Sequence, residues 1–301
     1  MVALLLAIGG ASHGVFAQDV TASISGFVTD SSGAAVIGAS VRVINFATGE
    51  QRKTTTDDNG QYIVAGLPVG TYMVFIEQKG FKKYVQENIV LHVNDKTPIN
   101  VALETGNVQE SVTVTAGALL VKTETHTVES LLTGEQIREL PLNNRNFTQL
   151  TQIVPGVSSV QGSTVGFGGL TTVAISVNGS RTTAINWSID GARNVDTGSN
   201  ATLFNYPSVD AIAEFKILTN SYDAQFGRNA GGVVNVVTRS GGKEFHGGLY
   251  EFLRNDVLQA RNPFQTTPLR GLSDNGCFPE ASPENDPECV YKGPLRYNNF
   301  G

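Results

Sequence analysis

Short stretches in which apolar and polar residues alternate recur along the first third of the chain. In Ser23–Thr29, for example, Ile24, Gly26 and Val28 share one face. Similar stretches, separated by turns rich in Asp, Asn, Ser and Gly, are Ser40–Asn45, Lys53–Thr56, Gln61–Val64, Thr71–Glu77, Ile89–Val93 and Ile99–Leu103. About seven short half-buried strands at this spacing predict a β-sandwich over residues 20–104.

From residue 125 the pattern mixes two periods. Thr133 followed by Gln136 has the form of a capping box, and Pro141 ends the helix that it predicts. A second predicted helix carries Phe147, Leu150, Ile153 and Val154 at helical spacing, with Asn144 or Asn146 as its cap. Strands are predicted at Val173–Val177, Ala184–Ile189, Ile212–Leu218 and Val233–Val237. Residues 125–242 are therefore expected to form an α+β domain.

A glycine-rich junction follows the last of these strands. Gly241-Gly242 separates Val233–Thr238, an apolar run typical of a strand buried on both faces, from the alternating Gly247–Leu253. Tyr250 and Phe252 share one face of that second strand and suit a membrane-interface girdle. Arg296–Gly301 is interpreted as the entry to a further strand, after a long loop rich in Pro, Asn and Gly.

Composition narrows the classes of function. Charged residues make up 16% of the 301 residues and Gly contributes 33, which is typical of an extracytoplasmic β-protein. The net charge of −6 and the lack of a basic patch argue against nucleic-acid binding. The four histidines are scattered, so neither a zinc site nor a catalytic set can be assembled. We expect no catalytic residue, no metal and no cofactor, and hence no enzyme.

The N-terminus carries an export pattern. An apolar run, Val2–Ile8, is followed by small residues and by Val15-Phe16-Ala17, a plausible cleavage site. We interpret residues 1–17 as a secretory signal peptide, with a short buried segment as the alternative.

The sandwich region resembles a known family. GFVTDSSGAAVIGASVRV and TTTDDNGQYIVAGLPVGTYMVFIEQKGFKK are similar to the recurring motifs of the carboxypeptidase regulatory-like domain, in the order typical of that family. The sequence has no H-x-x-E or H-E-x-x-H motif, so the resemblance implies no peptidase activity. Asp57, Asp58 and Asn59 are interpreted as a solvated turn, with a cation-binding loop as the alternative.

A short period-two run lies in the linker, residues 105–124. An extended segment between two domains can add to the edge of another protein's sheet, where backbone hydrogen bonds give affinity. The run resembles the TonB box of TonB-dependent receptors, which implies that it binds a TonB-type energy-transducing protein. Its members are Glu110, Ser111, Val112, Thr113, Val114, Thr115 and Ala116. The alternative is that it forms the last strand of the sandwich.

The α+β region also resembles this family. The segments ELPLNNRNFTQLTQIVPGV, VNGSRTTAINWSIDGARN, PSVDAIAEFKILTNSYDAQFGRNAGGVVNVVTRSGG and HGGLYEFLRND are similar to the plug domain of TonB-dependent receptors, and most of all to its Oar-like group. The resemblance implies a plug inside an outer-membrane β-barrel. A closed barrel needs at least about eight strands, so residues 243–301 supply only its beginning.

The expected fold class is therefore mainly β with some α. It comprises a seven-stranded β-sandwich, an α+β plug domain and the first strands of a truncated transmembrane β-barrel. Such a chain is expected to be the N-terminal part of a receptor that moves a bulky substrate across the outer membrane, with its first domain in the periplasm. The alternative is a secreted or periplasmic module that binds carbohydrate or protein, or mediates adhesion, without transport. The ligand is not defined by the sequence.

Several further residues have predicted roles. In a wet barrel lumen, arginine can form forked hydrogen bonds with carboxylates of the wall. The predicted plug–barrel contacts are Arg145, Arg181, Arg193, Arg228 and Arg239. Glu214, next to Phe215 and Lys216 on a predicted strand, is interpreted as structural. Cys277 and Cys289 are expected to form a loop disulfide, with a free thiol pair as the alternative.

Overall fold

The computed structural model describes residues 20–106, 111–115, 126–142, 145–159, 173–227, 229–245, 247–258 and 296–300. The chain divides into two units, Met1–Lys243 and Glu244–Gly301. The predicted signal peptide lies outside the described residues, as do Arg228, Cys277 and Cys289.

The first domain is a β-sandwich of two sheets. Its strands are β1 (Ala22–Asp30), β2 (Ser40–Asn45), β3 (Gln51–Thr55), β4 (Gln61–Leu67), β5 (Gly70–Glu77), β6 (Lys83–Leu91), β7 (Lys96–Pro98) and β8 (Val101–Leu103). One sheet has the order β4-β1-β7, and β8 also pairs with β1; the other contains β3-β2-β5-β6 in that order. Alternate residues of the two sheets, among them Ile24, Val41, Val74 and Ile89, form one buried core. The predicted sandwich is confirmed.

Two strand predictions for this domain need correction. The sequence predicts a strand at Ile89–Val93, but β6 begins at Lys83 and ends at Leu91. Strand β6 pairs with β5 from Tyr84 to Leu91, so this pairing also includes a polar stretch at the start of β6 that shows no clear alternation. The predicted strand Ile99–Leu103 is shorter in the structure, because β8 begins at Val101. A separate strand that the sequence did not indicate, β7, ends at Pro98, and both run parallel to β1.

The interruption between β7 and β8 explains why residue 26 is glycine. Ile99 donates its N–H to the Ser25 carbonyl over 2.7 Å, and its own carbonyl accepts a hydrogen bond from the Tyr62 hydroxyl over 2.9 Å. A Cβ atom on Gly26 would lie 1.9 Å from the Ile99 carbonyl oxygen. The Ile99 carbonyl can therefore pack against β1 only because residue 26 has no side chain.

Gly26→Ala is expected to lower the free energy of unfolding by about 1–3 kcal/mol, because the new methyl group must displace backbone atoms. Urea denaturation of the chain followed by circular dichroism would measure the loss. Gly241→Ala is the matched control, since a Cβ atom there meets no atom within 4 Å. Equal stabilities of the two variants would show that the contact with Ile99 imposes no constraint.

The second domain combines a mixed sheet with short helices. Its elements are β10 (Val128–Thr133), α1 (Gly134–Glu139), a 3-10 helix (Phe147–Ile153), β11 (Val157–Ser159), β12 (Ile175–Val177), β13 (Ile185–Ile189), β14 (Ala192–Arg193), β15 (Ile212–Asn220) and β16 (Gly232–Thr238). The five-stranded sheet has the order β10-β15-β16-β13-β14, and β11 pairs with β12 separately. Strands β13 and β16 are parallel, and the other neighbours are antiparallel. The predicted α+β fold is confirmed, with β10 as a strand that the sequence did not indicate.

Capping residues mark the N-terminal ends of the two longer helices. The predicted capping box is present, because the Thr133 hydroxyl accepts from the Gln136 N–H and the Gln136 side chain accepts from the Thr133 N–H. The second predicted helix is capped by Asn146 but is a 3-10 helix. The Thr151 hydroxyl donates to the Thr148 carbonyl, and such local side-chain bonds compete with regular α-helical pairing.

One face of the five-stranded sheet packs on these helices. Phe215 and Ile217 of β15 project into a buried core that also contains Ile137 of α1, Phe147 of the 3-10 helix and Trp187 of β13. Glu214 and Lys216, which alternate with them, therefore project from the opposite face of β15.

The second unit contains an antiparallel pair of strands. Strand β17 (Glu251–Asn255) pairs with β18 (Arg296–Phe300) in the register Glu251↔Phe300 to Asn255↔Arg296. The predicted strand at Gly247 thus begins at Glu251. Phe252 and Leu253 are both exposed although they lie on opposite faces. Within the described residues, no helix is long and apolar enough to cross a membrane.

Candidate functional site

The period-two segment of the linker forms a strand, β9 (Ser111–Thr115), on the sandwich. It runs parallel to β6, in a register that pairs Lys83 with Ser111 and Glu87 with Thr115. Glu110 and Ala116 lie outside the described residues. The segment is thus both an extra strand of the sandwich and the segment predicted to bind a partner; the binding itself stays a prediction.

Strand β9 lies at the outer edge of its sheet. The order β3-β2-β5-β6-β9 leaves no described strand beyond it. Because the N–H and C=O groups of successive residues alternate between the two edges of a strand, about half of the backbone groups of β9 point away from β6. Val112 is half-buried and Thr113 is exposed, in keeping with the alternation of the sequence. Within the described residues, the outer edge of β9 is therefore not covered by another strand.

A turn of the sandwich packs on the second domain's sheet, on the face that points away from the helices. It consists of His92–Asp95, which connects β6 to β7 and which we call the docking turn. The Asp95 carboxylate accepts from the His92 N–H over 3.1 Å, and the Asp95 carbonyl accepts from the Ser23 N–H of β1 over 2.8 Å. Asn94 adopts a φ of 59°, which Asn tolerates better than most residues. These contacts within the sandwich help to hold the turn in its shape.

Lys216 of β15 makes the main side-chain contacts with the docking turn. Its ammonium group donates to the Val93 carbonyl over 2.7 Å and lies 3.2 Å from the Asp95 carboxylate and 2.9 Å from the Glu129 carboxylate of β10. The side chain is only 1% exposed. A lysine ammonium has three N–H donors, and each has an acceptor here. Burial of this charge is tolerated because the pairing is complete.

Glu214, two residues earlier on β15, binds the same turn. One of its carboxylate oxygens lies 2.7 Å from His92 Nδ1, and the other accepts from the Val93 N–H over 2.9 Å. Glu214 and Lys216 thus hold the N–H and the C=O of one residue, Val93, between opposite charges. The structural role predicted for Glu214 is consistent with these contacts.

An exposed ion pair lies near this buried cluster. Lys96 and Asp223 are 2.7 Å apart, and their side chains are 47% and 45% exposed. Exposed pairs of this kind contribute little to stability.

On the sandwich itself, the hydrogen bond from Lys83 lowers the pKa of the Glu77 carboxyl below its usual value. Lys83 is the first residue of β6 that pairs with β9.

The four described members of the predicted plug–barrel set differ in their surroundings. Arg145 lies 2.6 Å from Asp210 in a part-buried ion pair, and Arg193 donates to the Asn200 side chain over 2.8 Å. Arg181 and Arg239 are exposed. Their contacts with a barrel wall stay a prediction. Within the described part of the chain, no group of three or more His, Cys, Asp or Glu side chains could hold a metal ion.

The contact between the docking turn and the two charged residues of β15, Glu214 and Lys216, was not predicted from the sequence. A signal was present, because Glu214 and Lys216 put two charges on one face of a mostly apolar strand. Such a face requires charged partners if it is buried. Which partners these are depends on a contact between residues 121 positions apart, Lys216 and Asp95.

Comparison with known proteins agrees with this arrangement. Residues 23–104 match the carboxypeptidase regulatory-like domain, residues 121–234 the TonB-dependent receptor plug domain, and residues 237–301 an outer membrane beta barrel domain. The chain is 30% identical over 212 residues to the TonB-dependent transporter Oar of Myxococcus xanthus, which covers 67% of this chain and 19% of that protein. The chain thus spans about a fifth of the length of this relative.

Solved structures match only parts of the chain. Hydroxyquinol 1,2-dioxygenase from Pseudomonas putida DLL-E4 aligns with 29% of this chain and 57% of its own at 11% identity, with a TM-score of 0.25. The Bacillus anthracis TIE protein aligns with 29% of this chain and 17% of its own at 21% identity, with a TM-score of 0.26. Likeness at this level carries no functional argument. The three matching domains, their order and the similarity to Oar instead show that the chain belongs to the TonB-dependent outer-membrane receptors and has their N-terminal domain arrangement.

Proposed function

We propose that this chain provides the periplasmic sandwich, the TonB-binding strand and the plug of a transporter that takes up a bulky substrate across the outer membrane. The observation that carries the proposal is the position of β9. It lies between the sandwich and the plug, has the residue pattern of a TonB box and has one edge that no described strand covers.

The geometry of β9 suits the capture of an extended partner. A partner strand that pairs with the outer edge gains backbone hydrogen bonds, and alternate side chains such as Val112 and Thr113 give selectivity. We propose that a TonB-type protein binds in this way and delivers the energy for transport.

The plug supplies the barrier in this proposal. Its buried core and its five-stranded sheet form a folded body, so that opening a path through it requires part of this structure to move or unfold. Among the described members of the predicted barrel-contact set, Arg181 and Arg239 are exposed and can reach carboxylates of a wall. Arg145 and Arg193 instead contact Asp210 and Asn200 within the plug.

Val112→Pro and Val114→Pro are expected to weaken binding of the 301-residue chain to the periplasmic domain of a TonB-type protein by at least about tenfold. Proline lacks the N–H and distorts the extended backbone that strand pairing requires. Isothermal titration calorimetry would measure the affinity. In the full-length receptor, the same changes are expected to abolish energised uptake.

Leu120→Pro is the matched control, because it places proline in the same linker beyond β9. It should bind like the unchanged chain. Undiminished binding and uptake by both valine variants would refute the TonB-box assignment.

A further inference from the structure

We propose that the β-sandwich carries force from β9 to the plug. The inference rests on the proposed role of β9 as the strand that a TonB-type protein pulls. The route has three steps, from β9 to β6, from β6 into the docking turn, and from the docking turn to Glu214 and Lys216 on β15.

The first step is a ladder loaded in shear. All five residues of β9 pair with β6. A pull along the strand therefore loads these hydrogen bonds together, whereas a sideways pull would open them one at a time. Strand β6 continues directly into the docking turn, so that no flexible connection intervenes.

The last step is the strongest part of the route. Lys216 is 1% and Glu214 is 10% exposed at the side chain, and together they hold both backbone groups of Val93 and the carboxylate of Asp95. Charge-assisted hydrogen bonds are about twice as strong as neutral ones, and burial reduces their screening by solvent. Moreover, β15 lies between β10 and β16, near the centre of the plug sheet.

The covalent route is longer. Residues 116–127 connect β9 to β10, and these twelve residues can extend over about 40 Å. The docking turn is in contact with β15 in the folded chain. A pull on β9 is therefore expected to act on the sandwich and through it on β15, which lies between β10 and β16.

The test is to cut the linker and to ask whether the two domains remain together. A recognition sequence for a specific protease replaces residues 118–123 of the 301-residue chain, so that cleavage leaves β9 on the sandwich. After cleavage, size-exclusion chromatography should show the sandwich and the plug in one peak. The double variant His92→Ala with Glu214→Gln, and separately Lys216→Met, should give two peaks.

Lys96→Ala is the control, because it removes only the exposed ion pair with Asp223. It should leave the single peak intact. Circular dichroism and the fluorescence of Trp187 establish that each variant is folded. Separation of the unchanged domains after cleavage would overturn the inference, as would co-elution of both interface variants.

A second measurement applies force directly. In the cleaved chain, optical tweezers hold residue 117 and residue 243, so that tension can reach the plug only through the sandwich. The unchanged chain should sustain tension until a discrete rupture, and the His92→Ala, Glu214→Gln variant should rupture at a force at least about twofold lower. Rupture at equal forces would refute the route through the docking turn.

These readouts do not involve a TonB-type protein. If the valine-to-proline changes leave binding and uptake intact, the proposed function fails while chromatography still reports on the domain contact. Conversely, loss of uptake in those variants together with separated domains would retain the proposed function and refute the force route.

Discussion

Replacing Lys216 by Met should lower the free energy of unfolding by about 3–5 kcal/mol, the loss typical of breaking a buried ion pair from one side. Met retains most of the apolar stem of Lys, so little packing is lost. The variant removes the ammonium group that lay 3.2 Å from the Asp95 carboxylate and 2.9 Å from the Glu129 carboxylate. It also leaves the Val93 carbonyl without its 2.7 Å donor.

Urea denaturation followed by tryptophan fluorescence measures this effect in the plug, because Trp187 is the only tryptophan and is buried in the plug core. Lys96→Met is the control and should cost less than about 1 kcal/mol, since its ion pair is exposed.

A rescue variant identifies the cause. Adding Asp95→Asn and Glu129→Gln to Lys216→Met removes the two carboxylate charges that Lys216 contacted, and it should restore part of the lost stability. If Lys216→Met costs no more than Lys96→Met, the buried cluster does not hold the domains together.

The sandwich and the plug could be predicted from the sequence because their strands are half-buried or buried in regular patterns. The break between β7 and β8 at Ile99 and Asn100 could not, since it depends on the Ile99 carbonyl packing against Gly26 of β1. Strand β10 was missed for a related reason. Its residues are mostly only part-buried at the edge of the sheet, so VESLLT shows no clear period.

The candidate site was predicted in part. The alternating residues of β9 indicated a strand, but the parallel partner in β6 lies in the polar sequence KYVQEN, which shows no alternation. For the second contact, the charges of Glu214 and Lys216 were visible, whereas the backbone groups of Val93 that they bind cannot be identified from residue type. Local sequence patterns predict individual strands and helices. The contacts between these elements depend on how the whole chain folds.

Phe147→Ala should lower the free energy of unfolding of the plug by about 3–5 kcal/mol through lost burial and the cavity left behind. The ring is 1% exposed. Its centroid lies 6.0 Å from that of Trp187, 6.0 Å from that of Tyr206 and 6.5 Å from that of Phe215. Aromatic contacts of this geometry add stability beyond the buried area. Phe204→Ala is the control, because that ring is 61% exposed and should cost within about 0.5 kcal/mol.

The same variant shows whether the two cores unfold together. Because the Lys216 cluster joins the sandwich to the plug, the urea curves from Trp187 fluorescence and from circular dichroism should coincide in Phe147→Ala, as expected for one cooperative transition. When Phe147→Ala is combined with Lys216→Met, the contact is lost, and the plug should unfold at lower urea than the sandwich. Curves that separate in Phe147→Ala alone would show that the docking turn does not couple the two domains.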